Sequence, residues 1–177
     1  QRQMCIRDSL CGYYIDNYNV FDGVSDFVNL GSIVNNNELE NGFAVVFEMS
    51  AGPDTPREYV VARHDGPDRL IYISWDSVTH VLQLSTWSDN DVRLEINTDP
   101  LPPFQWYHIY SSVFENQNDN SVTTAVWVDK QLQSEQVFLV TRLKEGVQYP
   151  LVLGRFNDSA GLYFRGQIQD FGVVPTD

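Results

Sequence analysis

Apolar residues in this chain come in short runs that alternate with polar residues, and helical periodicity is nearly absent. Val92, Leu94 and Ile96 form one such run. Alternation with a period of two is typical of half-buried β-strands. Turn-forming pairs such as Asp22-Gly23 and Asn41-Gly42 separate the runs. At this spacing the sequence predicts an all-β protein with about ten or more strands.

The connections between these runs decide how the strands pair. Parallel strands need crossover connections of a dozen or more residues, usually helical. The short polar segments of this chain leave no room for them. The sequence therefore predicts antiparallel pairing, in either a two-sheet sandwich or a single sheet closed on itself.

Length and charge limit the size of the protein and its partners. The chain has 177 residues, which is enough for one domain of ordinary size. Its 24 Asp and Glu outnumber 11 Lys and Arg, giving a formal net charge of −13. Nucleic acid is excluded as a partner, because phosphate binding requires Lys and Arg to release counterions. No run of eighteen apolar residues occurs, so the sequence predicts no membrane insertion.

Residues 1–9 do not follow the pattern of the rest of the chain. They have neither a period of two nor the apolar segment of a signal peptide. We interpret them as a sequencing artefact or, alternatively, as a disordered terminus, and we assign a single domain to residues 10–177. On the artefact interpretation the natural chain continues upstream of Leu10.

Four segments carry recognisable motifs. They are FDGVSDFVNLG, FAVVFEMSAG, the pair FQWYHIYSSVF and TTAVWVDKQLQSE, and LVLGRFNDSAGLYFRGQIQDFGVV. In this order and at this spacing they resemble the laminin-G-like jelly-roll family of the concanavalin A-like lectin/glucanase superfamily. The resemblance covers residues 18–174 and implies a two-sheet antiparallel jelly-roll β-sandwich. It thereby favours the sandwich over the closed sheet.

The resemblance also predicts structural features, and the sequence departs from the family pattern at two places. Lys130 stands where the family usually has glycine, so we expect that hairpin to use another turn geometry. The resemblance places Trp106 and Trp127 at core positions. The chain ends at Asp177, before the last polar segment of the family, so we expect a clipped domain or a longer polypeptide.

Calcium is the cofactor that the resemblance implies, because many domains of this family hold Ca²⁺. This ion takes six to eight oxygen ligands, mainly from carboxylates and carbonyls. Asp22 and Asp26 lie in the opening motif, and Asp170 lies in the closing strand, which is commonly its neighbour in jelly rolls. We therefore predict a metal site at these three residues. The alternative is that Asp22 makes a turn with Gly23 and that Asp170 caps a strand end.

Glycan binding usually requires an exposed aromatic ring with amide and carboxylate side chains around it. Trp75 follows a strand, and Trp87 is followed by Asp89 and Asn90. We predict these four residues as ligand-binding residues; the alternative is that each tryptophan belongs to the core. Asn157 begins an Asn-Asp-Ser sequon and is a predicted glycosylation site if the protein is secreted by a eukaryote.

Catalysis is not indicated by the sequence. Retaining glycosidases need two carboxylates about 5–5.5 Å apart on one sugar. The Glu-x-Asp-x-x-Glu string usual in this superfamily does not occur, and the pair Glu38 and Glu40 lies in an Asn-rich turn. The sequence predicts that the protein is not an enzyme, with a diverged glycoside hydrolase as the weaker alternative.

Taken together, these features predict a non-catalytic recognition module, extracellular or on the cell surface. Its expected partner is a glycan or a glycoprotein surface, with calcium dependence as a further expectation. The alternative function is a structural subunit of an extracellular fibre, sheath or virion that assembles through edge strands. Residues 171–174 are the candidate detachable strand for such self-association, and further domains of the same polypeptide are another expected class of partner.

Overall fold

The computed structural model describes residues 2–5, 11–15, 18–31, 42–52, 58–65, 68–140, 142–143, 150–155 and 163–176. These residues form strands and turns. The strands are β1 (Arg2–Cys5), β2 (Cys11–Ile15), β3 (Asn19–Asp22), β4 (Val28–Gly31), β5 (Gly42–Ala51), β6 (Glu58–Asp65), β7 (Asp68–Asp76), β8 (Val81–Trp87), β9 (Arg93–Asn97), β10 (Tyr107–Asn116), β11 (Ser121–Val128), β12 (Gln131–Phe138), β13 (Leu151–Leu153) and β14 (Arg165–Pro175). Within the described ranges, no helix is long and apolar enough to cross a membrane.

The strands form two sheets in which every pairing is antiparallel. The large sheet has the order β1-β2-β14-β5-β10-β11-β12, and β3 also pairs with β14. The small sheet has the order β4-β13-β6-β7-β8-β9. This arrangement confirms the predicted all-β, two-sheet antiparallel jelly-roll sandwich.

The core lies between the two sheets, and strand alternation supplies its side chains. Phe43, Phe47 and Met49 of β5 are fully buried and belong to one hydrophobic cluster with Ile73 and Trp75 of β7. Residues spaced by two in β5 or in β7 have side chains on the same face of the sheet. The alternating apolar residues of each strand therefore all lie on the face that meets the other sheet. Burial of this layer is the main favourable contribution to folding.

The closing strand β14 lies inside the large sheet. It pairs with β5 along one edge and with β3 and β2 along the other. Phe171 and Val173 are buried in the core. The expectation that residues 171–174 form a detachable terminal strand was therefore wrong, because both edges of this segment are hydrogen-bonded to neighbours.

The β11–β12 hairpin also differs from expectation. Its two-residue turn is Asp129–Lys130, with φ angles of 50° and 68°. Two positive φ angles are the signature of the type I′ turn that matches the twist of a hairpin. Lys130 thus takes the left-handed conformation in place of glycine, and the turn keeps the hairpin geometry. Asp129 also ties the turn to β10, because its Oδ1 accepts a hydrogen bond from the His108 N–H at 2.9 Å.

The segment predicted to be an artefact or a disordered terminus includes β1. Residues 2–5 pair with β2 at the end of the large sheet. The order of the strands therefore places β1 farthest from β12.

Candidate functional site

Asp22 organises the loop that follows β3. Its Oδ1 accepts hydrogen bonds from the backbone N–H groups of Val24, Ser25 and Asp26 at 2.8, 2.9 and 3.1 Å. The Asp22 N–H in turn donates to Asp26 Oδ2 at 3.2 Å. Hydrogen bonds from the Ser25, Val24 and Asp26 amides favour the charged carboxylate and lower the pKa of Asp22 to about 2. Two of the three predicted metal ligands thus lie together and bind their own loop.

Asp170 lies apart from this pair. Arg165 is the register partner of Asp22, so five residues of β14 separate Asp170 from that position. At about 3.3 Å per residue this separation is roughly 16 Å. Asp170 has a φ of 53° and lies where the register between β14 and β5 shifts, so it forms a β-bulge. The structure does not bring the three predicted ligands together.

Metal-ligand clusters are absent from the described part of the chain. No group of three or more His, Cys, Asp or Glu residues there could hold a metal ion. Neighbouring strands were expected to bring Asp170 to the opening motif, but the length of β14 keeps them apart. Calcium binding by this protein stays a prediction.

The predicted tryptophan platforms are both buried. Trp75 is 0% exposed and stacks on His80 with ring centroids 6.0 Å apart. Trp87 is 2% exposed and packs edge-on against Tyr72 at 5.1 Å. These rings are core side chains in this structure and present no face to a sugar, as the alternative interpretation held.

The polar residues predicted around Trp87 lie in the turn after β8. Asp89 and Asn90 are exposed. The Asp89 N–H donates to the Arg142 carbonyl at 3.1 Å, and the two side chains approach to 4.0 Å. This turn therefore lies at the surface beside a buried ring. Asn157, the predicted glycosylation site, lies outside the described residues.

An open cleft of about 430 Å³ lies at another place, where the ends of β3, β5 and β14 meet the loop before β10. We call it the aromatic cleft. Its lining residues are Val20, Phe21, Ser50, Ala51, Gly52, Phe104, Trp106, Arg165, Gly166 and Gln167.

Trp106 is an exposed ring of this cleft, and its expected core position was wrong. The indole is 42% exposed, and the Tyr18 ring lies 6.1 Å from it. The next residue, Tyr107, is buried at the start of β10. Because strand side chains alternate between faces, Trp106 points away from the core. Counting the period of two back from Tyr107 is the sequence signal that would have found it.

Phe104 is both strained and exposed. Its φ of 63° lies in the left-handed region, and 68% of the residue is exposed. The left-handed conformation costs an L-residue roughly 1–2 kcal/mol. A hydrogen bond from the Phe104 N–H to the Ala51 carbonyl, at 2.9 Å, holds this geometry. The backbone is thus fixed so that a large apolar ring faces the cleft and solvent.

Three further residues of the cleft lining have polar side chains. Arg165 and Gln167 come from β14, and Ser50 comes from β5. The stem of Arg165 passes close to Gly23 and Gly52: a Cβ on these glycines would lie 2.9 Å from Arg165 Cβ and 3.2 Å from the Arg165 carbonyl oxygen. A side chain at Gly23 of the opening motif would therefore collide with Arg165, and this explains why the motif has glycine there.

The cleft combines two kinds of surface. Aromatic rings can pack against the apolar face of a ligand, and the guanidinium, amide and hydroxyl groups can donate hydrogen bonds to its polar groups. Concave sites with apolar walls and a few directed polar groups are typical binding sites for small molecules.

Comparisons with known proteins identify the fold. No protein-family model matches the sequence, and no curated protein matches it significantly. A sialidase carbohydrate-binding module, CBM40, of Ruminococcus gnavus bound to alpha2,6 sialyllactose has 7% sequence identity and a TM-score of 0.64, over 89% of this chain and 90% of that one. A heptameric pentraxin of Limulus polyphemus has 14% identity and a TM-score of 0.59, over 88% and 74% of the two chains.

A third solved structure is the binding domain of botulinum neurotoxin serotype D. It has 10% identity and a TM-score of 0.64, and the match covers 94% of this chain and 43% of that one. At these identities the likeness establishes the fold alone. The protein is a two-sheet antiparallel jelly-roll sandwich, and its assignment to the laminin-G-like family of the concanavalin A-like superfamily stays a prediction.

Proposed function

We propose that this protein is a non-catalytic recognition module that binds carbohydrate in the aromatic cleft. Its partner is a glycan or a glycosylated protein, met outside the cell or at the cell surface. The observation that carries the proposal is the exposed aromatic pair, Phe104 and Trp106, in the lining of a cleft that also contains Ser50, Arg165 and Gln167.

The cost of Phe104 supports a role in binding. The left-handed backbone lowers stability, glycine at this position would remove that strain, and a ring that is 68% exposed gains little from burial to offset it. Strained residues of this kind cluster at functional sites. A sugar ring placed on Phe104 or Trp106 would cover the apolar surface that solvent now meets.

The polar residues of the cleft can form hydrogen bonds with the hydroxyl groups of a sugar. Arg165, Gln167 and Ser50 together offer charged and neutral hydrogen-bond groups, and Arg165 would also favour a carboxylate on the ligand. The similar module of Ruminococcus gnavus was solved with sialyllactose, a carboxylate-bearing sugar. Binding is favoured over hydrolysis because the described lining of the cleft contains no Asp or Glu, whereas a glycosidase needs two carboxylates.

A glycan array followed by calorimetry tests the proposal, with lactose and sialyllactose as the first probes. We expect the protein to bind at least one glycan, and Trp106→Ala to raise its Kd at least tenfold, which corresponds to a loss of about 1.4 kcal/mol. Phe114→Ala is the matched control, because Phe114 is 39% exposed but lies on another part of the large sheet. We expect its Kd to equal that of the wild type.

Phe104→Gly separates a binding role from a structural one. Glycine tolerates the φ of 63°, so the variant should unfold at the same temperature as the wild type or higher while its affinity falls. Absence of binding to every glycan at millimolar concentration would overturn the proposed function. Binding that neither cleft variant weakens would overturn the cleft as its site.

A further inference from the structure

Several exposed and half-buried apolar side chains lie on the outer face of β10, β11 and β12. The strand register places Tyr110 opposite Trp127 and Trp127 opposite Leu132. It also links Phe114 to Val137 through Thr123. We call Tyr110, Phe114, Trp127, Leu132 and Val137 the outer patch. Tyr110, Trp127 and Leu132 are contiguous across three strands, whereas Ser112, Ala125 and Glu135 separate them from Phe114 and Val137. Apolar side chains that are exposed singly need no explanation, but a contiguous group such as the first is typical of an interaction site.

The outer patch ends at a strand edge with which no further described strand pairs. β12 pairs with β11 and is the last strand of the large sheet in the described part of the chain. Val126 pairs with Ser134 and Trp127 with Leu132, so Gln133 is an extra residue that forms a bulge. Beyond the bulge, Ser134–Phe138 pair regularly with β11. Every second residue of such an edge directs its backbone hydrogen-bonding groups away from the sheet.

Apart from the bulge at Gln133, the devices that normally protect an edge strand are sparse in this one. Residues 131–140 contain no Lys, Arg or Pro, and Glu135 is their one ionisable side chain. The whole chain nevertheless carries a formal charge of −13. Two copies of so acidic a protein repel each other over most of their surface, and this edge is a place where their charge density is low.

We propose that β12 pairs with β12 of a second copy of this chain, antiparallel and about a two-fold axis. The two large sheets would then form one continuous sheet, and the two outer patches would become adjacent. A second copy is the occupant that the chemistry favours, because a two-fold contact brings a surface against itself and needs no charge complementarity. A partner chosen by electrostatics would require charged residues that β12 does not supply.

Sedimentation velocity over a concentration series of the full chain tests this interface. The wild type should form dimers of twice the 20.3 kDa chain mass, whereas Val137→Lys should stay monomeric. Val137 is 56% exposed, and lysine at an edge strand opposes pairing. Val78→Lys is the matched control, because it adds the same charge at an exposed valine in the turn after β7. It should dimerise like the wild type.

Hydrogen exchange of the wild type gives a second measurement that needs no variant. Within residues 134–138, the alternate amides that point away from β11 should become more protected as the protein concentration rises. A wild type that is monomeric at every concentration would overturn the proposal, as would a dimer that Val137→Lys leaves intact. Because both outcomes concern β12, they are independent of whether the aromatic cleft binds glycan.

Discussion

At the scale of single residues, Asp22 shows how one carboxylate can organise a loop and gain a pH dependence from it. The amides of Ser25, Val24 and Asp26 lower its pKa from 3.8 to about 2. A lowered pKa in the folded state means that the charged form stabilises the fold. This stabilisation is complete above the unfolded pKa and is lost as the pH falls through the folded pKa.

Asp22→Asn tests this linkage, because asparagine keeps an acceptor oxygen at the same place but carries no charge. The wild type should unfold at a higher temperature than the variant at neutral pH, and the difference should shrink between about pH 4 and pH 2. Thermal unfolding from pH 2 to 7 measures it. Asp99→Asn removes the same charge from an exposed loop and is the control. A difference between wild type and Asp22→Asn that does not vary with pH would contradict the assignment.

The tryptophans show which residue properties the sequence could and could not predict. Asp22-Gly23 was correctly predicted as a turn, because turn chemistry is local. The burial of Trp75 and Trp87 is not local. It depends on the residue at which each strand begins and on whether a second layer covers the strand. A shift of the strand by one residue moves each side chain from the buried face to the exposed face, or the reverse.

At the scale of elements, the β11–β12 hairpin keeps a type I′ turn although its second turn residue is lysine. Lys130→Gly should stabilise the protein, because glycine adopts a φ of 68° without the cost of roughly 1–2 kcal/mol that an L-residue bears. Glycine also loses more backbone entropy on folding, by roughly 0.5–1 kcal/mol. The expected net gain is about 0–1.5 kcal/mol, or a rise in Tm of up to about 6 °C.

Gln131→Gly is the control for this hairpin, because residue 131 begins the extended strand β12, where glycine only adds flexibility. It should lower the Tm. Should Lys130→Gly also lower the Tm, the strain assigned to the turn would be absent.

The position of each strand in the sequence was more predictable than which strands it pairs with. The alternation of apolar and polar residues correctly predicts β10 and β14, since this signal lies within each strand. Pairing is non-local, and the same segment 171–174 has the same pattern whether it is an edge strand or a central one. The resemblance correctly placed the opening motif beside the closing strand, but it could not show that Asp22 meets Arg165 while Asp170 lies five residues farther on.

At the scale of the whole molecule, the net charge acts on the two proposed surfaces differently. The proposed ligand of the aromatic cleft is small, and a neutral sugar such as lactose is neither attracted nor repelled by the net charge of −13. The interface at β12 brings two such charges together. Repulsion between exposed charges acts over a Debye length, which is about 30 Å at 0.01 M ionic strength and about 3 Å at 1 M.

Raising the NaCl concentration across this range should therefore strengthen dimerisation and leave the affinity for a neutral glycan nearly unchanged. We expect the dimer Kd to fall by at least about tenfold, because screening removes the long-range repulsion between two acidic molecules. Lowering the pH toward the pI of 4.4 at low salt should have the same effect, since it reduces the charge itself. Agreement between the two treatments separates charge screening from a general effect of salt on apolar surfaces. Dissociation of the dimer at high salt would instead show that ion pairs hold it, which the almost uncharged β12 cannot provide.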